Sequence, residues 1–262
     1  MESYGVLLKE RSKSPDDKIL EQLKRNGFSV IKSPFSVNEI ESFDQEFDRV
    51  RLCYNQRWQK DELIEKVEND LIRLPMAEDS SLFIKLALNS KVLKILRSLL
   101  IGKFILNQQN GIYNPSQKRY TQDRWHRDLP YQHFTSSNPI AISAIYCVDE
   151  FTNLNGAMYV IPNSHKFIEF PSEDFIEKNA IQIEAKKGAF ILFDSMLYHK
   201  GGYNKSSLPR RAINHIYNIP FIKQQINIPS NVNLSALTYN EKEILGFGFE
   251  EPETFEDFFK KH

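Results

Sequence analysis

The sequence predicts an α+β fold in which helices pack around a mainly β core of the sandwich or barrel type. Residues 1–102 carry apolar side chains mostly at helical spacing, residues 103–222 alternate short β-type runs with turn residues, and residues 223–262 return to helix. Neither an internal repeat nor a low-complexity linker divides the chain. We therefore expect one domain over residues 1–262, made of a helical shell, a β core and a C-terminal extension with those boundaries.

The helices of the shell have start and stop signals. Asn26-Gly27 ends the first helix, because glycine readily adopts the left-handed conformation that closes a helix. Ser36 and Glu39 form a capping-box pattern that opens the next helix. A long apolar run closed by Gly102 predicts a third helix. In order, we expect helix 15–25, strand 28–31, a helix from 36 through 50 and helix 81–100.

The β core is predicted from short apolar runs that are rich in β-branched and aromatic residues. Turn signals such as Asn155-Gly156 and Lys187-Gly188 separate them. The predicted strands are 104–113, 140–148, 157–161, 181–184, 189–193 and 212–219. Helices are expected again at 240–245 and 253–259.

Charge and cysteine content narrow the possible functions. The 34 basic and 34 acidic residues balance, so no global field favours nucleic acid or an anionic membrane as a partner. No apolar run approaches the roughly 20 residues of a membrane span, and no secretory signal is visible. Cys53 and Cys147 lie in unlike contexts, which argues against a disulfide. We expect a cytoplasmic protein with a small-molecule partner; the sequence carries no signal for the oligomeric state.

Two fragments contain residues suited to metal chemistry. Trp125-His126-Arg127-Asp128 supplies an imidazole and a carboxylate, and His199 follows a buried-strand pattern further on. Two histidines and one carboxylate with the other positions open are how non-haem Fe(II) oxygenases hold their metal. His-x-Asp alone is a weak signal that most often marks a surface pair. Its weight here comes from His199 and the arginine that follows it.

That arginine lies eleven residues beyond His199, at Arg210. The spacing suits a turn and a return along an antiparallel strand, from which a guanidinium can bind a carboxylate through two parallel hydrogen bonds. Adjacent strand residues face opposite sides, so at most one of Arg210 and Arg211 points inward. The alternative is that both are surface charges at a strand start.

A second group of polar residues lies on a predicted strand. Gln108, Asn110 and Ile112 share one face, where the two amides suit either a polar ligand or a solvated sheet. The predicted pocket walls are the loops 131–138 and 167–180 and the segment after 222, with Tyr131 and His133 near the metal residues. No basic cluster suited to the phosphates of coenzyme A stands out in the sequence.

Together, these residues resemble the phytanoyl-CoA dioxygenase-like family of Fe(II)/2-oxoglutarate oxygenases. The resemblance rests on four blocks whose order and spacing agree and which span about half the chain. They are Trp-His-x-Asp at 125–128, the Asn-Gly to Pro-Asn-Ser-His block at 155–165, His199 with Gly202 and Asn204, and Arg210.

The resemblance implies a double-stranded β-helix, the cupin-like jelly roll, over residues 103–222. It implies His126, Asp128 and His199 as catalytic iron ligands, and Arg210 as the residue that binds the distal carboxylate of 2-oxoglutarate. Gln108 resembles a pocket-lining glutamine of some relatives. Gly201 departs from the pattern, because many members have a serine there that helps hold the carboxylate. A different hydroxyl, or water, would have to replace it.

The activity implied is a hydroxylation that consumes O₂ and 2-oxoglutarate and releases succinate and CO₂, with ascorbate as a possible reductant. Halogenating relatives lack the carboxylate ligand; Asp128 is present, which favours hydroxylation. We expect a small polar metabolite or biosynthetic intermediate as the substrate. Two alternatives stay open: a cupin-type metal enzyme that does not use 2-oxoglutarate, for which a buried Arg210 is unnecessary, and a non-catalytic ligand-binding relative, against which the intact triad argues.

Overall fold

The computed structural model describes residues 4–6, 14–58, 70–129 and 135–261. Its elements are α1 Pro15–Asn26, β1 Phe28–Ile31, α2 Val37–Trp58, β2 Leu71–Arg73, η1 Pro75–Ala77, α3 Ser81–Ala87, α4 Ser90–Leu99, β3 Ile105–Asn114, η2 Thr121–Asp123, β4 Ala141–Cys147, β5 Tyr159–Val160, η3 Ser164–Lys166, α5 Glu173–Asn179, β6 Ile181–Gln182, β7 Phe190–Asp194, β8 His199–Lys200, β9 Arg210–Asn218, α6 Ile228–Asn231, α7 Tyr239–Ile244 and α8 Phe255–Lys261. None of the helices within these ranges combines the length and apolar character needed to cross a membrane.

Two antiparallel sheets form the core. The larger has the strand order β1-β7-β4-β9-β3-β2, and the smaller has the order β6-β5-β8. The central strands β4, β7 and β9 are almost wholly buried, which explains their nearly continuous apolar sequence. The large antiparallel sheet confirms the predicted mainly β core and its jelly-roll class.

Side chains of the large sheet alternate between two cores. Along β9, Ile213 and Tyr217 pack in the core shared with α1 to α4, whereas Ala212 packs with Phe151 and Val160 in the core between the two sheets. The helices therefore cover one face, here called the outer face. The inner face looks toward the small sheet and the predicted metal residues.

The helix boundaries follow local capping. Ser14 accepts a hydrogen bond from the backbone N–H of Asp17 in a capping box, and Gly27 closes α1 at φ +85°. The predicted helix 81–100 is wrong as a single helix, since the chain breaks between α3 and α4. There Asn89 accepts a hydrogen bond from Val92 N–H and starts a new helix. The prediction also missed β2 and the short helix α5, which lies inside the predicted loop 167–180.

Candidate metal centre

The two fragments meet through their backbones. His126 N–H donates to His199 O at 2.9 Å and His199 N–H donates to His126 O at 3.0 Å, which forms an isolated antiparallel bridge. Asp128 N–H donates to Ser195 O at 3.0 Å. His126 therefore lies on a single bridge to β8 and not within a regular strand.

The side chains of these three residues converge. One candidate ligand atom from each of His126, Asp128 and His199 lies within 4.8 Å of the others. Asp128 Oδ1 is 3.9 Å from Nε2 of His126 and 3.5 Å from Nε2 of His199. Side-chain burial is high, at 9% exposure for Asp128 and 6% for His199. The nitrogens and oxygen thus face one small volume.

Backbone carbonyls orient both imidazoles. His126 Nδ1 is 2.7 Å from Arg124 O, and His199 Nδ1 is 2.9 Å from Leu197 O. The tautomer that donates from Nδ1 leaves an Nε2 lone pair facing Asp128, the arrangement that orients metal-binding histidines. Burial, together with nearby His199, lowers the pKa of His126 to about 4, so its ring is neutral near pH 7.

The two carboxylate oxygens of Asp128 have different contacts. Its Oδ2 accepts hydrogen bonds from Ser143 Oγ at 2.5 Å and Asn214 Nδ2 at 3.2 Å, while Oδ1 faces the two histidines. Burial alone would raise the pKa of Asp128, but His199, His126 and Ser143 outweigh it and hold that pKa at about 2. Asp128 is therefore an anion with one oxygen fixed and the other available.

This donor set fits a non-haem iron. Two imidazoles and one carboxylate are borderline and hard ligands, and they leave other coordination positions open. His126 Nε2 is buried and has no hydrogen-bond partner among the described residues. A buried ring nitrogen in that state is costly unless an ion or ligand satisfies it.

The two adjacent arginines have opposite environments. Arg210 is 3% exposed, with its guanidinium 3.9 Å above the Phe151 ring, and its Nη2 donates to Tyr120 Oη at 3.3 Å. No carboxylate within the described ranges lies at ion-pair distance from it, and its Nε is buried without a hydrogen bond there. Arg211 instead points to the outer face.

The triad and Arg210 line one narrow cavity. Its other walls include Ile112, Tyr120, Phe151, Met158, Gly201 and Asn214. Its volume is about 30 Å³, on the order of one water molecule. Gln108 is outside this wall; it lies further along the inner face, where Asn110 Nδ2 donates to its Oε1 at 2.9 Å.

A wider cleft adjoins the cavity at Tyr120. It has a volume of about 840 Å³, and its walls include four basic and two acidic residues: Arg51, Lys118, Arg119, Arg124, Asp70 and Asp123. Lys118, Arg119 and Arg124 are close in sequence, and Arg119 forms an ion pair with Asp123 at 2.9 Å. The expectation that no basic cluster suits the phosphates of coenzyme A stays a prediction. Tyr131 and His133 of the predicted pocket wall lie outside the described residues.

Sequence reasoning missed three polar side chains at the site. Ser143 and Asn214 hold Asp128, and Tyr120 reaches Arg210. The alternation of β9 placed Asn214 on the same face as Arg210, which was the available signal. No local pattern marked Tyr120, since it precedes a short 3₁₀ turn.

Comparisons with known proteins agree with this geometry. The model of the family described as phytanoyl-CoA dioxygenase (PhyH) matches residues 23–212. An uncharacterized protein of Mycobacterium tuberculosis is 30% identical over 80% of this chain and 78% of its own length. Ectoine dioxygenase of Nocardia farcinica is 24% identical over 76% of each chain. The crystal structure of EctD from S. alaskensis with bound Fe has the same fold, with a TM-score of 0.66 at 22% identity, over 84% of this chain and 80% of that one.

Fold, site and family match together define a non-haem Fe(II)- and 2-oxoglutarate-dependent dioxygenase. The chain belongs to the phytanoyl-CoA dioxygenase (PhyH) family. The family resemblance predicted from the four sequence blocks is confirmed.

Proposed function

We propose that this dioxygenase hydroxylates a small polar metabolite or biosynthetic intermediate, with His126, Asp128 and His199 as the iron ligands and Arg210 as the anchor of 2-oxoglutarate. In the proposed reaction O₂ and 2-oxoglutarate are consumed, and succinate and CO₂ are released. Bound iron and 2-oxoglutarate would supply the oxidising chemistry. The chain's own residues hold these partners and keep bulk water away from them.

The observation that carries the proposal is the buried Arg210 guanidinium, which shares the triad's cavity and has no carboxylate partner within the described residues. Burying a cation is costly unless an anion compensates it. A carboxylate bound there in bidentate fashion removes that cost. A metal enzyme that does not use an anionic cosubstrate has no need of this arrangement.

Asp128 supports hydroxylation as the outcome. Because Ser143 and Asn214 fix Oδ2, the side chain presents Oδ1 to the metal position and fills a place that halogenating relatives leave open. Mutation to alanine removes a protein ligand and should end turnover. Ascorbate is proposed only as a reductant that restores Fe(II) after unproductive cycles.

The substrate class is inferred from the polar inner face next to the triad. Asn110 and Asn214 are cross-strand partners on β3 and β9, and Gln108 continues this strip of amides. Asn214 Oδ1 is buried and lacks a hydrogen-bond partner within the described part of the chain. Amides in this state favour a ligand with its own donors and acceptors. We propose Gln108 as a substrate-contacting residue on this strip, since it does not line the cavity that contains the triad and Arg210.

The cytoplasm is the compartment we propose. Cys53 and Cys147 are both free, as expected where thiols stay reduced. A reducing compartment also favours the ferrous state.

The direct test is a screen for succinate release with Fe(II), ascorbate and 2-oxoglutarate. Small polar metabolites form the main set, and an acyl-CoA thioester tests whether the basic cleft accepts a phosphate-bearing substrate. The His199→Ala variant is the blank, because it lacks one proposed ligand. We expect substrate-dependent succinate release from the wild type alone. Release that His199→Ala retains in full would contradict the proposed iron site.

A further inference from the structure

The structure assigns a role to Tyr120: we propose that its hydroxyl replaces the serine that many relatives have at the position of Gly201, and binds the distal carboxylate of 2-oxoglutarate together with Arg210. This inference rests on the proposed function, because it concerns the same cosubstrate. It identifies a residue that no sequence motif marked.

The first observation concerns space. A Cβ atom added to Gly201 would lie 1.5 Å from Tyr120 Oη and 2.4 Å from Tyr120 Cζ. Contacts under about 3 Å between such atoms do not occur in real structures. The phenol therefore occupies the volume into which a side chain at position 201 would project, and the hydroxyl lies near the place of a serine Oγ.

Backbone conformation does not require glycine here. Gly201 is outside the positive-φ set of the described glycines, so an L-residue can adopt its backbone angles. Steric exclusion by Tyr120 remains the reason for glycine. Tyr120 and Gly201 thus form a matched pair, in which one residue supplies a hydroxyl and the other leaves room for it.

The second observation concerns polar contacts. Tyr120 Oη accepts the hydrogen bond from Arg210 Nη2 at 3.3 Å, and both residues line the cavity that contains the triad. Phe151 and Met158 are apolar neighbours in the same wall. A phenol can donate its own proton while it accepts one, so Tyr120 and Arg210 can present two donors to one carboxylate.

The third observation concerns rigidity. Gly201 N–H donates to Gln122 O at 2.7 Å, and Thr121 N–H donates to Asp70 Oδ2 at 2.5 Å. Asp123 N–H donates to Tyr120 O at 3.2 Å within the 3₁₀ turn. The turn that follows Tyr120 is therefore hydrogen-bonded directly to Gly201, and the Tyr120 hydroxyl takes the place of the side chain that Gly201 lacks. Burial raises the pKa of Tyr120, so the hydroxyl keeps its proton near pH 7.

A binding experiment tests the assignment. Fe(II) and then 2-oxoglutarate are titrated anaerobically into wild-type protein, Tyr120→Phe and the control Tyr113→Phe, with calorimetric detection. Tyr113 borders the neighbouring cleft and stacks on Arg51, so its variant removes a nearby hydroxyl that does not contact Arg210. We expect Tyr120→Phe to weaken 2-oxoglutarate binding about 10- to 100-fold, with Fe(II) affinity unchanged. Tyr113→Phe should match the wild type.

A double-mutant cycle tests the geometry, first by the stability of the metal-free protein and then by 2-oxoglutarate affinity. Gly201→Ser should lower the melting temperature of the metal-free protein, because its Cβ meets the phenol. The same change in a Tyr120→Ala background should cost little, and the double variant should recover most of the 2-oxoglutarate affinity that Tyr120→Ala loses.

The outcomes separate this inference from the proposed function. Wild-type affinity in Tyr120→Phe overturns the role of Tyr120 and leaves the dioxygenase proposal standing. Additive effects of Gly201→Ser and Tyr120→Ala on melting temperature overturn the matched pair. Failure of the wild type to bind 2-oxoglutarate in the presence of Fe(II) overturns both proposals.

Discussion

The two faces of the large sheet differ in how their polar side chains are paired. On the outer face, Arg211 forms ion pairs with Asp44, Asp48 and Asp149. On the inner face, Arg210 has a phenol and an aromatic ring but no carboxylate partner within the described residues. The two arginines are adjacent in sequence, so the difference comes from the alternation of β9.

The histidines show the same contrast. His215, on the outer face, has Gln109 Nε2 at 2.9 Å from its Nε2 and Ala144 O at 3.1 Å from its Nδ1. His126 has only its Nδ1 bonded within the described chain. Protein groups satisfy Arg211 and His215 of the outer face, although the buried Tyr146 hydroxyl there has no partner among the described residues. On the inner face, the unsatisfied atoms His126 Nε2, Arg210 Nε and Asn214 Oδ1 all belong to residues that line the cavity of the triad. This difference distinguishes structural polar residues from functional ones.

The largest effect on activity is expected from alanine substitution of a carboxylate, compared between the two faces. Asp128→Ala should reduce 2-oxoglutarate turnover to background, because it removes the only anionic ligand proposed for the metal and leaves two imidazoles. Asp149→Ala, the outer-face control, should lower the melting temperature through loss of its Arg211 pair while turnover per folded protein stays near that of the wild type. Succinate release measures turnover in both variants, and thermal unfolding measures their melting temperatures. Full activity in Asp128→Ala would remove Asp128 from the ligand set.

The adjacent arginines give the next effect. Arg210→Ala should weaken 2-oxoglutarate binding at least about 30-fold, since removing one partner of a buried charge pair costs about 2 kcal/mol or more. Without ligand its stability should hold or rise, because an unpaired buried cation is gone. Arg211→Ala should instead lose about 2 kcal/mol of unfolding free energy and keep its affinity for 2-oxoglutarate. The reverse pattern would refute the assignment of the two faces.

A smaller effect is expected at the hydroxyl that fixes Asp128. Ser143→Ala should weaken Fe(II) binding about 10-fold, the lower end for groups that orient metal ligands. Ser29→Ala is the matched control, because Ser29 is a buried strand serine whose Oγ donates to Gln22 Oε1 at 2.6 Å. Metal titration should distinguish the two variants, and equal affinities would show that Ser143 does not orient the carboxylate.

The final prediction concerns folding stability and a buried carboxyl outside the triad. Burial raises the pKa of Asp194 from 3.8 to about 6, although its Oδ1 accepts a hydrogen bond from Met196 N–H. Between about pH 4 and 6 the folded state holds more protons than the unfolded state, so this group makes stability fall as pH rises through that window. Asp194→Asn should therefore gain stability relative to the wild type above pH 6, by about 3 kcal/mol at most, and lose that advantage below pH 4. Denaturant unfolding across pH measures it; a pH-independent difference would contradict the shifted pKa.

Much of the fold and the candidate site followed from local patterns. Short apolar runs bounded by turn residues located β3, β4, β7 and β9, and the capping box located α2, because these signals depend on neighbours in the chain. The break at Asn89 was missed, since the apolar spacing continues through it. Tyr120 and Ser143 were missed because their contacts with Arg210 and Asp128 form only when distant segments meet.

The central claim is that Fe(II) and 2-oxoglutarate together supply the bonding partners that the inner-face atoms lack within the described residues. Anaerobic calorimetry tests it most directly, with 2-oxoglutarate titrated before and after Fe(II) is added. We predict one Fe(II) per chain in the wild type, one 2-oxoglutarate bound tightly once Fe(II) is present, and neither bound by the His199→Ala variant at the same concentrations. Equal 2-oxoglutarate binding with and without Fe(II), or Fe(II) binding that survives loss of His199, would contradict the account.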